Sequence, residues 1–217
     1  IENRARNNPD KYDWYQCHVY YKMLVDAIFA DSVLNDTTQD SREIKEFTDR
    51  QHLLISETYS KRTWKQPQQL QEDIIASRFS GLKKPGFTSL VTDFQPFHAY
   101  NDYISLNGKE YHNPISRGFE QYYKFNLSDE LLLGADTVWV LSFTPRSNNA
   151  NNLAGKVYIN SDGYAISQIV ARSYDTMLHL NVRIEQQYDR VPVPGAHTRW
   201  FPSHLNYIID LQMKMDN

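Results

Sequence analysis

The sequence predicts an α+β fold, in which a mostly antiparallel curved sheet forms a half-barrel around two or three short helices. Apolar and polar residues alternate with a period of two in several segments, which is typical of strands with one buried face. Turn signals separate these segments at short intervals, which favours a meander of neighbouring strands. Two or three segments between residues 41 and 96 have helical spacing instead, and these helices would cover the apolar face.

The clearest strand signal is a hairpin over residues 153–170, with Asp162-Gly163 as a two-residue turn. Such a turn needs positive φ at both central positions. The buried face of this hairpin would then carry Val157, Ile159, Tyr164, Ile166 and Val170. The opposite face would carry Lys156, Asn160 and Ser167.

Other strands are predicted on both sides of this hairpin. The first runs from Gln16 to Val25, and a shorter one places Leu53, Ile55 and Tyr59 on one face. Later strands are indicated by three alternating sets: Phe119, Gln121, Tyr123, Phe125 and Leu127; Thr137, Trp139, Leu141 and Phe143; Leu178, Leu180, Val182, Ile184 and Tyr188. A last strand sets Phe201, Leu205, Tyr207, Ile209 and Leu211 against Trp200, His204, Asn206 and Asp210.

Helical patterns occupy the region between the first strands and the later ones. The best helix begins at Pro67, carries Leu70, Ile74, Ile75 and Arg78 at helical spacing, and ends at Gly81. A shorter one contains Leu90, Val91 and Phe94 before Pro96. Ser41 is placed to cap a third, with Ile44 and Phe47 on one side.

Composition restricts the function classes. The 23 Lys and Arg and 26 Asp and Glu are mixed along the chain without a basic block, which argues against nucleic-acid binding. The single cysteine, Cys17, excludes an intrachain disulfide, and its place inside a strand favours a small buried side chain over a nucleophile. An aromatic content of 13%, with 15 Tyr, suits half-buried sheet surfaces and a semi-polar groove.

No catalytic signature is found. The seven histidines lack zinc-ligand spacing, no Gly-x-Ser-x-Gly occurs, and the eight glycines form no phosphate loop. The sequence therefore predicts no catalytic residue, metal or cofactor. A pair of carboxylates from separate strands stays open as a route to hydrolysis.

Both ends of the sequence favour a longer polypeptide. The chain opens on Ile-Glu-Asn-Arg and closes on Lys-Met-Asp-Asn, without a signal peptide at its start. We expect residues 1–217 to form a single periplasmic domain, a fragment of that longer chain.

Five motifs together resemble a family of uncharacterised Bacteroidota outer-membrane proteins. They are Ile-Ile-Ala-Ser-Arg-Phe-Ser-Gly (74–81), Phe-Gln-Pro-Phe (94–97), Asn-Asp-Tyr-Ile (101–104), Gly-Lys-Glu-Tyr-His-Asn-Pro-Ile-Ser (108–116) and the 153–166 hairpin. The resemblance runs from about residue 12 to 211. It implies a carboxypeptidase-like regulatory domain before this one, a membrane β-barrel after it, and a periplasmic, outer-membrane-associated location.

A second resemblance concerns the fold. The hairpin of residues 155–166, followed by two long amphipathic strands with Arg-Trp-Phe-Pro at 199–202, is similar to the half-barrel of periplasmic lipoprotein carriers. In that fold the concave side can hold acyl chains. The resemblance implies no catalytic residues.

These observations lead to three functional hypotheses. The first is a non-catalytic periplasmic module that binds a lipid, a lipoprotein acyl chain or another apolar ligand in the half-barrel cavity. The second is a structural or protein-interaction scaffold that links a flanking membrane β-barrel to other envelope proteins, and the third is an envelope hydrolase. For the first, the predicted ligand-binding residues are Tyr123, Trp139, Tyr158 and Tyr207. Each of these aromatics could also simply fill the core.

Overall fold

The computed structural model describes residues 7–29, 42–43, 46–47, 49–50, 52–67, 69–81, 99–106, 109–147, 152–173, 180–193 and 198–213. Single-turn 3-10 helices occupy Pro9–Lys11 and Phe119–Gln121. The strands are β1 Trp14–Phe29, β2 Leu54–Lys65, β3 Gln69–Gly81, β4 Tyr103–Leu106, β5 Lys109–His112, β6 Tyr123–Leu133, β7 Asp136–Pro145, β8 Leu153–Asn160, β9 Ala165–Ser173, β10 Leu180–Val191 and β11 Arg199–Met213.

Nine of these strands form one open sheet in the order β3-β2-β1-β11-β10-β9-β8-β7-β6, and β4 pairs with β5 separately. Neighbouring strands are antiparallel except β1 and β11, which pair in parallel over Leu24–Phe29 and Ile208–Met213. The predicted α+β half-barrel around helices is wrong, because the described part of the chain is nearly all strand, holds no complete α-helix and leaves the sheet unclosed. The antiparallel meander is confirmed from β6 to β11.

The helix predicted from Pro67 to Gly81 is also wrong, because the segment forms strand β3. A β-bulge at Ile75 separates Ile74, which pairs with Ser60, from Ala76, which pairs with Tyr59. One extra residue shifts the alternation by one position, so that two runs of period two together imitate helical spacing. Gly81 does not cap a helix: a Cβ there would lie 2.5 Å from the Leu53 carbonyl oxygen.

The other two predicted helices fall largely outside the described residues. Leu90, Val91, Phe94 and Pro96 all lie there, as do Ser41 and Ile44. Arg42, Glu43, Glu46 and Phe47 have helical backbone.

The amphipathic patterns of β1 and β10 are confirmed. From Trp14 to Met23, exposed even-numbered residues alternate with half-buried or buried odd-numbered ones. In β10, Val182, Ile184 and Tyr188 are each at most 2% exposed. The faces that the alternation predicts to be buried are buried because they form one continuous surface across β1, β11 and β10.

Bulges explain where the predicted faces are wrong. Ser203 is an extra residue in β11 between Pro202 and His204, which pair with Tyr188 and Gln187. Trp200, predicted on the polar face, is therefore on the same side as Leu205 and only 8% exposed.

The alternation predicted to begin at Phe119 begins at Tyr123 instead, because Phe119–Gln121 is a 3-10 helix.

The central hairpin is confirmed with a longer turn. Four residues, 161–164, connect β8 to β9, and positive φ falls at Gly163 (66°) and Tyr164 (51°) instead of at Asp162. A bulge opposite Tyr158–Ile159 then shifts the register. Tyr164 is 63% exposed and Val170 pairs with Lys156, so neither is on the buried face where it was predicted. Asn160 is on the face opposite to Val157, as predicted, but is only 1% exposed.

The sheet has one face that carries the hydrophobic core. Val157 pairs with Ile169, and Ile169 pairs with Gln186, so these side chains share one side of the sheet. We call this side the inner face and the opposite side the outer face. The core cluster on the inner face includes Tyr123, Phe143, Val157, Ile169, Ala171, Val182, Ile184 and Met23.

Candidate functional site

Residues 99–122, which we call the plug, pack on the inner face at β9 and β10. The Ala99 backbone N–H donates hydrogen bonds to Gln186 Oε1 and to the Tyr188 hydroxyl, 2.7 Å each. Complete burial raises the pKa of Tyr188 well above its ordinary value. Tyr188 therefore stays neutral and acts as a structural hydrogen-bonding group.

Asn113 holds the plug together. Its side chain is completely buried, and its Nδ2 donates to the carbonyl oxygens of Ala99 (2.7 Å) and Asn101 (2.5 Å). Its Oδ1 accepts from the Ile115 N–H at 3.0 Å. One side chain thus satisfies three backbone groups that a loop would otherwise leave unpaired.

Tyr123 fastens the plug to the start of β8. Its hydroxyl donates to the His112 carbonyl at 2.5 Å and accepts from the Leu153 N–H at 3.1 Å. Burial raises the pKa of Tyr123 to about 12. On the β9 side, the Tyr100 hydroxyl accepts from the Ile166 N–H at 3.0 Å. This half of the inner face is a closed core.

The β3 edge of the inner face contrasts with it because apolar side chains there are exposed, whereas Met23, Leu54 and Trp64 on β1 and β2 are at most 8% exposed. Leu70, Ile74 and Phe79 pair with Trp64, Ser60 and Ser56, which places them on the inner face of β3. They are 52%, 68% and 40% exposed, respectively. We call these three residues the apolar strip. They continue the core side of the sheet to its edge without being buried.

The surface beside the apolar strip is polar on β2 and mixed on β1. The inner side of β2 carries Ser56, Thr58, Ser60 and Arg62, and it ends at Trp64. Ile55 and Tyr59, predicted to share a face with Leu53, do share one, but it is the outer face. On β1 the inner side carries half-buried Tyr15, Cys17, Val19 and Tyr21.

A charged group lies within this surface. Arg62 Nη2 is 2.9 Å from Glu72 Oε2, and the Ser60 hydroxyl donates to Glu72 Oε1 at 2.5 Å. Partial burial alone would raise the pKa of Glu72, but the bonds from Ser60 and Arg62 outweigh it and lower the pKa. The Arg62 guanidinium also lies 5.7 Å from the centre of the Tyr21 ring. Glu72 lies between Leu70 and Ile74 on the inner face of β3, so this ion pair interrupts the apolar strip.

The ionisable groups on β1 are unsuited to act as nucleophiles. Burial raises the pKa of the Cys17 thiol more than nearby Arg62 lowers it. Burial also raises the pKa of Tyr15 to about 12. Both groups are consequently protonated near neutral pH, whereas a cysteine nucleophile needs its thiolate form.

The four predicted ligand-binding aromatics occupy different positions. Tyr123 is in the closed core, and its ring lies 5.7 Å from that of Phe143. Trp139 pairs with Ile159 on the inner face, whereas Tyr158 pairs with Val140 on the outer face. Tyr207 pairs with Ile184, and its side chain is outside the described part of the structure. The sheet does not bring Trp139 and Tyr158 to one face, and the ligand role of the four stays a prediction.

Sequence reasoning missed the apolar strip because it assigned Leu70 and Ile74 to a helix. A signal was available: Leu70, Glu72 and Ile74 alternate over the first half of the segment, and Ser77 and Phe79 over the second. Recognising a bulge between these two runs would have recovered strand β3.

Two further observations restrict the chemistry. Among the described residues, no group of three or more His, Cys, Asp or Glu side chains is arranged to hold a metal ion. In the same residues, no helix has the length and apolar character needed to cross a membrane.

The fold defines a nearly all-antiparallel domain with an open nine-stranded sheet, a plugged half and an exposed apolar strip. The chain belongs to a family of unknown function, DUF5686, whose model matches residues 1–215. The expected membership of an uncharacterised family is thereby confirmed. Comparisons with curated proteins and with solved structures give no match.

Proposed function

We propose that this domain is a non-catalytic binding module that holds a lipid or acyl chain along the apolar strip. The observation that carries the proposal is the exposure of Leu70, Ile74 and Phe79 on the core side of the sheet. Exposed apolar side chains scattered singly need no explanation, but a row on one face marks a contact surface. A periplasmic, outer-membrane-associated location, as the Bacteroidota resemblance implies, is part of this proposal.

The shape of the strip favours an extended ligand. Leu70 and Phe79 are nine residues apart on one strand with a single bulge, which corresponds to about 30 Å at the usual rise per residue. A long, narrow apolar row fits a hydrocarbon chain better than a compact ligand. The adjoining Arg62–Glu72 pair is partly exposed and suits a polar head group, so the ligand class is amphipathic.

The proposal is tested first with the purified 217-residue protein. Native mass spectrometry after gentle lysis should detect a co-purified lipid, and a fluorescent long-chain fatty acid should bind in titration. A protein that carries no lipid and binds no fatty acid would contradict the proposal and favour the scaffold hypothesis.

A matched pair of variants then locates the binding surface. Ile74→Glu puts a carboxylate in the middle of the strip and should weaken fatty-acid binding at least about tenfold, because the charge would be desolvated by the ligand. Leu132→Glu makes the same change at the opposite edge of the sheet, where Leu132 is 83% exposed, and should leave binding unchanged. Equal weakening by both variants would exclude the strip as the site.

A further inference from the structure

Strand β6 forms the second edge of the sheet, opposite to β3. Four leucines on it are exposed: Leu127 (61%), Leu131 (43%), Leu132 (83%) and Leu133 (67%). Among the described strands only β7 pairs with it, which leaves its other side as an edge; there the Glu130 N–H donates to Asp129 Oδ1 at 2.8 Å. Natural proteins usually protect such an edge, and a long apolar edge strand favours strand pairing with another chain.

The side chains of β6 have a definite arrangement on the two faces. Phe125 and Leu127 pair with Phe143 and Leu141, on the inner face. A bulge at Ser128 then shifts the alternation by one residue. As a result Lys124, which pairs with Thr144, and Asp129, which pairs with Val140, are both on the outer face.

We propose that β6 pairs antiparallel with β6 of a second copy of this chain, with the two Asn126 residues opposite each other. In this register Leu127 of each copy lies opposite Phe125 of the other on the inner face. Lys124 lies opposite Asp129 on the outer face, and the bulged Ser128 is accommodated in both strands. Each apolar pair and each opposite-charge pair forms twice, because a two-fold axis through Asn126 makes the edge self-complementary.

Competing registers fit less well. If the two-fold axis passed through Leu132, few residues of the two β6 strands would pair, because β6 ends at Leu133. Bringing Lys124 opposite Glu130 would join side chains from different faces, since Glu130 pairs with Trp139 on the inner face. The register through Asn126 is the one that matches both charge and face.

The energetics indicate a weak dimer. Exposed ion pairs contribute about 0.2–1 kcal/mol each, so backbone hydrogen bonds and the two Phe125–Leu127 contacts must supply most of the affinity. A single strand pair buries less than the roughly 1,200 Å² of typical stable interfaces. We therefore expect a dissociation constant on the order of micromolar or weaker.

Charge exchange tests the register. Sedimentation equilibrium of the wild type at low ionic strength should show a reversible dimer. K124D or D129K alone should weaken dimerisation about tenfold, because each places like charges opposite each other. An equal mixture of the two variants should recover wild-type association, since the aspartate introduced in one variant would face the lysine introduced in the other. K156D, at an exposed position on β8, serves as the matched control and should have no effect.

The outcomes are decisive because all three positions are exposed and circular dichroism can verify folding. A wild-type protein that stays monomeric at the highest concentration reached would overturn the proposal. So would a dimer that is insensitive to K124D and D129K, a mixture that does not recover, or an equal loss with K156D. Association with a different protein while the chain alone remains monomeric would also overturn it.

Discussion

The two halves of the inner face differ in what borders them and in their composition. At β8–β10, Val157, Ile169 and Ile184 are at most 1% exposed in a core closed by the plug. At β2, the same side of the same sheet carries Ser56, Thr58, Ser60 and Arg62, beside an exposed apolar edge. The comparison shows that one continuous sheet can be buried under a plug at one end and carry exposed apolar side chains at the other.

The comparison is tested most strongly by removing one phenylalanine from each half. Phe143 is completely buried and contacts the rings of Tyr123 and Phe125, so Phe143→Ala should lower the free energy of unfolding by about 4 kcal/mol. Phe79 is 40% exposed, and Phe79→Ala should cost about 1 kcal/mol or less. Urea denaturation measures both. Similar losses for the two variants would mean that the apolar strip belongs to the core.

A smaller but still large effect is expected from the plug. Asn113→Ala leaves the Ala99 and Asn101 carbonyls and the Ile115 N–H without their partner, which should cost about 3 kcal/mol. Asn126→Ala, at an exposed position of β6, is the control and should change stability by less than about 0.5 kcal/mol. Thermal denaturation distinguishes the two. An equally small effect at both positions would refute the idea that Asn113 maintains the plug.

The smallest effect concerns the ion pair in the exposed half. Because the pKa of Glu72 is lowered in the folded protein, its contribution to stability is present above its unfolded pKa, about 4.3, and is lost as the pH falls through the folded pKa. Glu72→Gln should therefore destabilise at pH 7 by less than about 1 kcal/mol, since the group is partly exposed. The difference between variant and wild type should shrink below about pH 4.

Denaturation of both proteins at about pH 7 and about pH 3 provides the measurement. Ser60→Ala removes one hydrogen bond to Glu72 and should raise the pKa of this carboxyl towards its ordinary value. A stability difference between Glu72→Gln and wild type that is the same at both pH values would show that the carboxylate charge is not responsible.

Strands that follow strict alternation could be predicted from the sequence, and bulged strands could not. β1 and β10 bury the faces that their patterns indicate, since each carries an uninterrupted period of two. Three errors have a bulge or a lengthened turn as their cause: Ile75 in β3, Ser203 in β11 and residues 161–164 between β8 and β9. A fourth, at Phe119–Gln121, is caused by a 3-10 helix. One inserted residue reverses every later side chain, and its only signal is a shift in the alternation, as between Ile74 and Ser77.

The candidate site was harder to predict than the fold for a related reason. An inner face is normally inferred from apolar residues, but that of β2 is made of Ser56, Thr58, Ser60 and Arg62, so its alternation does not reveal which side is the inner one. The Arg62–Glu72 pair joins two neighbouring strands whose register there is set by the turn between Lys65 and Gln69, in a segment predicted to be helical. The plug is equally non-local, since Asn113 and Gln186 meet through the Ala99 backbone.

The pairing of the first strand with the last has a kinetic consequence. During synthesis β1, β2 and β3 can form a local meander early, but β1 has no β11 to pair with until residues 199–213 have been made. Contacts between such distant segments give a high contact order, which slows folding. Refolding should accordingly show the three-stranded N-terminal unit protected from hydrogen exchange before the ladder between Leu24–Phe29 and Ile208–Met213 forms.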